Sequence, residues 1–288
     1  MKNKKIIYYT IGLLVVLVMI LAVIIQHGKN SPMTVVFMDV GQGDSILISN
    51  GTQQLLIDGG KDGKLLLEKL GKHIPFWDRN IEVVVETHPD QDHIGGLIDV
   101  LSAYRVGDIV KTKMQSDSQT FKKLEEEIAK NNLGEIEAKK DLKIKFANNA
   151  FAQVLYPFAE VKDINGKDTN SNSVVIKLSV GENKFLFTGD LANDQEKELI
   201  ENNIDLSAQF LKIAHHGSRY ATSDEFLEMV KPIDAIISVG KNNSYGHPNA
   251  EVLQRLVNSR VNVLRTDEGG DIIYECQSLG EKCVLKSL

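Results

Sequence analysis

The chain has 288 residues, with 33 lysines and arginines against 39 aspartates and glutamates, a formal charge of −6. That length gives one large domain or two small ones, with ample chain to bury a core. The composition is that of an ordinary globular protein. The acidic balance excludes a basic module that coats nucleic acid through counterion release, because no dense basic run occurs beyond Lys111 to Lys113 and scattered pairs. Any polyanion must be gripped locally.

Ile6 to Ile25 is a twenty-residue stretch without a charge, long enough to cross a hydrocarbon core as a helix. A cleaved signal peptide has a shorter apolar region, and no small-x-small site follows Ile25 in "QHGKNSPM". An uncleaved anchor over residues 1–26 and a linker over 27–32 are therefore expected. Lys2, Lys4 and Lys5 precede the span, and positive residues stay on the cytoplasmic side. This predicts a single-pass protein of the cell membrane with its N-terminus in the cytoplasm and residues 33–288 outside as one domain. Without those three lysines the chain holds 30 basic and 39 acidic residues, about −9.

The segment "MTVVFMDVGQGDSILISNGTQQLLIDGG" reads as three antiparallel strands, with Asn50-Gly51 turning the hairpin "LISNGTQQLLI". Helical patterns follow at Lys64 to Lys72, Gly95 to Ser102 and Ser118 to Asn131. Strands are predicted at Ile81 to Glu86 and Ile109 to Lys111, then near Leu142 to Phe146 and Ala152 to Tyr156. A polar loop from Val161 to Asn172 is the segment expected to be flexible. After it come the hairpin "SVVIKLSVGENKFLFTG" and the strands "AQFLKIAH", "AIISVG" and "VNVLRT". These alternate with helices at Glu196 to Glu201, Ser223 to Val230 and Ala250 to Asn258, the middle one opened by a capping box of Thr222 and Glu225. Two β-rich halves, each ending in βα units, predict two sheets packed face to face with helices outside. Near the end, β-favouring residues flank Cys276 and Cys283. The pair suits either a disulfide in an oxidising exterior or two buried thiols.

Three apolar strands end in metal-binding side chains. "IEVVVETHPDQDHIGG" carries His88, Asp90, Asp92 and His93; "FLFTGD" ends in Asp190; "FLKIAHHGS" ends in His215 and His216. A sheet rim holds such groups at fixed angles, as a metal site requires. Five of the seven histidines fall in these motifs and in "YGHP", whereas histidines scattered over a surface would show no preference for strand ends.

In that order, "THPDQDHIGG", "FTGD" and "HHGS" resemble the successive metal motifs of the metallo-β-lactamase fold, an α/β sandwich of two mixed sheets flanked by helices (αββα). The opening "DVGQGDSILI", the hairpin end "LIDGG", the segment "TNSNSVVI" and the tail "NNSYGHPNAEVLQRL" narrow the resemblance to the ComEC-type competence hydrolase domain, over about Met33 to Glu275. It implies that Asp92, His93 and His215 bind one metal, that His88 and Asp90 bind a neighbouring one, and that Asp190 bridges them. Most members have histidine where this chain has Asp90, and another near "TNSNS", where only Asn170, Asn172 and Ser173 stand. Oxygen ligands favour harder ions, so of two divalent cations Mn²⁺ is the first choice and Zn²⁺ the second, with the first site filling only in part.

The resemblance further implies a metal-dependent hydrolase that cuts phosphodiesters with a water activated by the metal pair, with Asp92 among the catalytic residues, and DNA or another phosphodiester polymer as the substrate. His247 matches a histidine that the family keeps near the metals and is expected to protonate the leaving oxygen; tying down its loop is the alternative. His216 and Ser218 are candidates for substrate contact, against support of His215 and an ST-turn respectively. Asp44, in the turn of Asp39, Gly41, Gly43, Asp44 and Ser45, either orients a ligand or serves only the turn. Asp58 is expected to brace the "HPDQDH" loop, and Trp77 to pack rather than stack on a base.

Two rivals share parts of this reading. An esterase of teichoic acid or its phosphocholine groups would use the same metals, and a non-catalytic protein would hold DNA or wall polymer with an incomplete first site. A β-lactamase fits least, because Asp90 and the missing histidine depart from that branch. The single span here replaces the polytopic channel that accompanies the domain in ComEC-type proteins, so transport is not expected of this chain alone.

Overall fold

The computed structural model of the protein describes residues 5, 8–19, 32–161, 168–277 and 282–286. Residues 8–19 are helical (α1), with their large apolar side chains exposed. Among the described residues no helix is long and apolar enough to cross a membrane, so the span expected from Ile6 to Ile25 is not shown. Residues 1–4, 6–7 and 20–31, which hold the rest of that anchor and nearly all of the linker, lie outside the described residues, as do 162–167 of the polar loop.

The first half of the domain runs β1 (Met33–Phe37), β2 (Ile46–Asn50), β3 (Gln53–Ile57), α2 (Gly63–His73), β4 (Asn80–Val85), α3 (Gln91–Ile94), α4 (Leu97–Ala103), β5 (Arg105–Lys111), α5 (Gln119–Lys130) and β6 (Gly134–Glu137). The second runs β7 (Lys143–Lys145), β8 (Phe151–Tyr156), β9 (Val175–Val180), β10 (Asn183–Phe187), α6 (Asn193–Glu201), β11 (Phe210–Lys212), α7 (Asp224–Val230), β12 (Asp234–Ile237), α8 (Ala250–Asn258) and β13 (Asn262–Arg265). A short helix α9 (Thr266–Gly269) and the strands β14 (Ile272–Cys276) and β15 (Val284–Lys286) close the chain.

One sheet has eight strands in the order β15-β14-β1-β2-β3-β4-β5-β6, the other seven in the order β13-β12-β11-β10-β9-β8-β7. Both mix parallel and antiparallel pairs: β2 and β3 form the expected hairpin, whereas β3 to β6 and β10 to β13 run parallel. The two sheets do not divide the chain cleanly in half, because the C-terminal pair β14 and β15 returns to the first sheet, with β14 antiparallel to β1. Cys276 and Cys283 join these two strands by a disulfide of 2.01 Å.

Alternation along each strand sends one row of side chains between the sheets. Phe37, Phe185, Phe187, Phe210 and Tyr274 meet there with ring centroids 4.3 to 6.3 Å apart. Each such fully buried side chain contributes roughly 1.5–3 kcal/mol. The outward rows take the helices: Leu66 and Leu70 of α2, Val100 of α4 and Phe121 of α5 cover the first sheet, while Leu199 of α6, Phe226 of α7 and Val252 of α8 cover the second.

Three local details depart from the sequence reading. The strand β6 lies at a sheet edge with largely exposed side chains, so it lacks the apolar alternation that would announce it. The cap of α7 is Ser223, whose hydroxyl accepts from Phe226 N at 3.2 Å. The amides of Thr222 and Ser223 are held instead by the buried carboxylate of Glu196, which moves the helix start one residue on. Trp77 stands exposed between α2 and β4, edge-on to Phe76 at 5.0 Å and at the opposite end of β4 from the histidine loop.

Candidate metal centre

The parallel strands β4, β10 and β11 end on the same side of the sandwich, and the polar motifs begin where their ladders stop. After Val85 the chain turns through Thr87 to Asp90 into α3, which carries Asp92 and His93. Close backbone approach fixes this loop. A Cβ on Gly43, whose φ is +117°, would lie 1.9 Å from the Asp92 carbonyl oxygen, so only glycine lets the "DVGQGDS" turn pack there.

Asp190 is the hub. Its Oδ1 lies 3.2 Å from His93 Nε2, and its Oδ2 lies 3.5 Å from His216 Nε2, 3.7 Å from His215 Nε2 and 3.9 Å from His88 Nε2. Asp92 Oδ2 is 3.4 Å from His216 Nε2. Ligand atoms of His88, His93 and Asp190 fall within 4.8 Å of one another, and so do those of Asp92, His93 and His216 and those of Asp44, Asp190 and His216.

Each inner imidazole is turned by a hydrogen bond on its far side. His93 Nδ1 donates to Asp58 Oδ2 at 2.7 Å, and His216 Nδ1 donates to the Ser238 carbonyl at 2.9 Å. Thr87 Oγ1 donates to Asp58 Oδ2 at 2.7 Å, which leaves its lone pair to accept from His88 Nδ1 at 3.0 Å. These networks hold an Nδ1–H of each ring on its far side and turn Nε2 toward the centre. His88 Nε2, His93 Nε2, His216 Nε2 and Asp190 Oδ1 are buried and have no hydrogen-bond partner. Four such atoms in one buried cluster would each cost about 1–3 kcal/mol if left alone, so the site suits divalent cations.

Charge gives the same answer. Asp44, Asp58, Asp92 and Asp190 gather around the histidines, and the fully buried Lys212 pairs with one of these carboxylates, its Nζ meeting Asp44 Oδ2 at 2.5 Å. Burial opposes charge on His93 and His216. The carboxylates together outweigh it, Asp190 with Asp58 at His93 and Asp190 with Asp44 and Asp92 at His216, and both rings are held well above the usual imidazole range. For Asp190 the imidazoles of His216 and His93 overcome burial and hold the carboxyl well below its usual range. His88 is driven the other way, to about 3, by burial and by the neighbouring His93. The cluster thus calls for positive charge that Lys212 alone does not supply.

The expected ligands are placed as follows. His88, Asp92, His93 and Asp190 come together in the interior. Asp90 lies at the edge, its side chain 42% exposed, with Oδ2 3.8 Å from His88 Nε2 and Oδ1 accepting from the Thr169 hydroxyl at 2.6 Å. Of the adjacent histidines, His216 takes the inner position assigned above to His215, while His215 stands at the rim with 30% of its side chain exposed. The swap arises from positive φ at both residues, 49° and 54°, which breaks the alternation of β11. Ser218 is buried and engaged in its own turn, with its hydroxyl accepting from Tyr220 N at 3.4 Å. His247 packs against His215 with ring centroids 5.6 Å apart, and burial and the nearby histidines push it down to about 4.

Asp58 braces the loop: it is fully buried and also accepts from Thr87 N at 2.8 Å. Two further residues, Thr87 and Lys212, went unread in the sequence, and Ser173 stood out only as one of the residues found where most of the family has a histidine. Thr87 and Ser173 both reach His88 Nδ1, the latter at 3.3 Å. Lys212 had a legible signal, a lone lysine in the apolar run "FLKIA", since a strand buried on both faces must give such a charge a partner.

A two-sheet sandwich with helices outside and a histidine-aspartate cluster on one rim defines a metallo-β-lactamase-type protein. Residues 38–241 match the metallo-beta-lactamase superfamily, and the chain belongs to it. It is 33% identical over 261 residues to ComE operon protein 3 of Bacillus subtilis, covering 82% of this chain and 32% of that protein. It is 27% identical over 237 residues to competence protein ComA of Neisseria gonorrhoeae, covering 82% of this chain and 31% of that protein. The ComEC-type resemblance therefore holds, and the chain spans about a third of the length of these curated relatives. Among solved structures, the metallo-beta-lactamase fold protein YhfI of Bacillus subtilis shares the fold, with a TM-score of 0.56 at 14% identity over 85% of this chain and 100% of that one.

Proposed function

We propose that the chain is a metal-dependent phosphodiesterase that cuts DNA and is held at a membrane by its N-terminal apolar segment. The observation that carries the reading is the gathering of three imidazole Nε2 atoms around the Asp190 carboxylate, all buried, in two overlapping groups at the sheet rim. Asp92, His93, His216 and Asp190 would hold one divalent cation, and His88, Asp190 and the edge carboxylate of Asp90 a second, with Mn²⁺ the first choice and Zn²⁺ the second. Such ions supply a water of lowered pKa and neutralise charge on a phosphoryl oxygen.

The protein's own groups prepare that chemistry. Asp58, Thr87 and the Ser238 carbonyl fix the ring faces, and the Lys212–Asp44 pair anchors the floor beneath His216. His215 and His247 line the open side, where a phosphodiester would enter. As a neutral imidazole, His247 would offer a hydrogen bond to the leaving oxygen rather than act as a charged acid. Membrane attachment is supported by the uncharged stretch from Ile6 to Ile25 and by the exposed apolar side chains of α1.

The test is hydrolysis by the full-length protein, with Mn²⁺ or Zn²⁺, of an oligodeoxynucleotide and of a glycerol-phosphate polymer. Cleavage of the oligonucleotide that is lost in Asp190→Ala supports the proposal. Cleavage of the glycerol-phosphate polymer alone, or of neither under any divalent ion, overturns it.

A further inference from the structure

We propose that Tyr245 and His247 form a stacking subsite for an unpaired nucleobase beside the metal centre. This rests on the phosphodiesterase reading above and deepens it by assigning how the substrate's base is held.

Tyr245 is 65% exposed, yet its ring lies 24° from the plane of His247 with centroids 5.9 Å apart. His247 in turn packs 5.6 Å from His215, whose Nε2 is 3.7 Å from Asp190. An aromatic surface therefore runs from solvent to the edge of the carboxylate cluster. The loop that carries it is pinned by one side chain. Asn243 Oδ1 accepts from the amides of Tyr245 and His247, each at 3.1 Å, and Asn243 Nδ2 donates to the carbonyls of Gly240 at 3.1 Å and His247 at 2.6 Å. A loop stapled in this way while it presents a bare aromatic face is preorganised for a flat ligand.

The neighbouring loop adds a second exposed ring. Tyr220 is 70% exposed, with the Arg219 guanidinium carbon 5.9 Å from its ring centroid. The two loops are tied together, since Asn249 N donates to the Gly217 carbonyl at 2.9 Å and Arg219 N to Asn249 Oδ1 at 2.8 Å. Cationic and aromatic side chains interleaved at the mouth of a site that handles phosphodiesters are the pattern by which proteins grip single-stranded nucleic acid, because every base has a face to stack. A glycerol-phosphate chain has no flat ring to offer. In a chain whose formal charge is −6, such local contact replaces a broad basic surface.

The experiment uses the full-length protein, an oligothymidylate, an abasic strand of equal length and a glycerol-phosphate polymer. Binding is read by fluorescence anisotropy, and kcat/KM with Mn²⁺ is read in parallel on the two nucleic-acid strands. The wild type should favour the base-bearing strand, and Tyr245→Ala should reduce that preference at least fivefold, as loss of one stacked base implies. Tyr245→Phe and Tyr245→Trp should keep it within about twofold, which a merely structural role for the hydroxyl would not predict. Equal losses on both strands, no loss on either, or glycerol-phosphate bound as tightly as the oligothymidylate would each overturn the proposal. If no strand is cut, the phosphodiesterase reading fails, and anisotropy still decides whether a base is stacked.

Discussion

Asp58→Asn perturbs the metal centre without replacing a proposed metal ligand. The native carboxylate accepts three hydrogen bonds, from Thr87 N at 2.8 Å, Thr87 Oγ1 at 2.7 Å and His93 Nδ1 at 2.7 Å. An asparagine has one acceptor oxygen and one donor amide. If its oxygen keeps the Thr87 amide, its NH₂ faces Thr87 Oγ1 and His93 Nδ1, and His93 must move its proton to Nε2, the atom that faces Asp190. The opposite amide orientation strands the Thr87 amide against an NH₂ in a site without solvent. Loss of such a partner behind a ligating histidine typically costs 10–100-fold in metal affinity, about 1.4–2.8 kcal/mol. Titration calorimetry with Mn²⁺ and Zn²⁺ on the full-length protein measures this directly, with circular dichroism of the same samples as a check on folding. A folded Asp58→Asn protein that binds both ions within twofold of the wild type would refute the reasoning.

Three more predictions concern the frame and its protons. Gly43→Ala forces a methyl group into the Asp92 carbonyl, so metal affinity should drop at least tenfold in a protein whose far-UV spectrum is unchanged, as calorimetry will show. For the metal-free protein the raised folded-state pKa values of His93 and His216 fix the sign of its pH dependence. The stability these imidazolium groups give is fully present below their unfolded pKa near 6.5 and is lost as pH rises through the higher folded values. Thermal scans should therefore show the metal-free Tm falling above neutral pH, while saturating Mn²⁺ flattens the fall. Reduction of the Cys276–Cys283 disulfide opens a short loop with a sequence separation of 7, which chain entropy values at about 2–3 kcal/mol. Denaturant unfolding with and without reductant measures it.

Much of this molecule was legible in its sequence because burial writes periodicity into strands. "ILISNGTQQLLI" gave β2, its turn and β3 nearly to the residue, and the polar ends of β4, β10 and β11 marked the site. Distances in the folded chain were not legible. Which of His215 and His216 points inward depends on two consecutive residues of positive φ, a backbone choice that alternation cannot foresee. The return of β14 to β1 was hidden for a different reason, since pairing between residues more than 230 positions apart leaves no local signal. Lys212 lay between these cases: its oddity inside an apolar strand was visible, whereas its partner Asp44 came only with the fold.

The central claim is that the Asp190 carboxylate and the imidazoles of His88, His93 and His216 hold two neighbouring divalent cations, and direct metal binding tests it best. Equilibrium dialysis of the full-length protein against Mn²⁺ and Zn²⁺, followed by elemental analysis, should find the wild type loaded and Asp190→Ala stripped of most of its metal. An Asp190→Ala protein that retains the same ions at the same affinity, or a wild type that takes up none, would contradict the account.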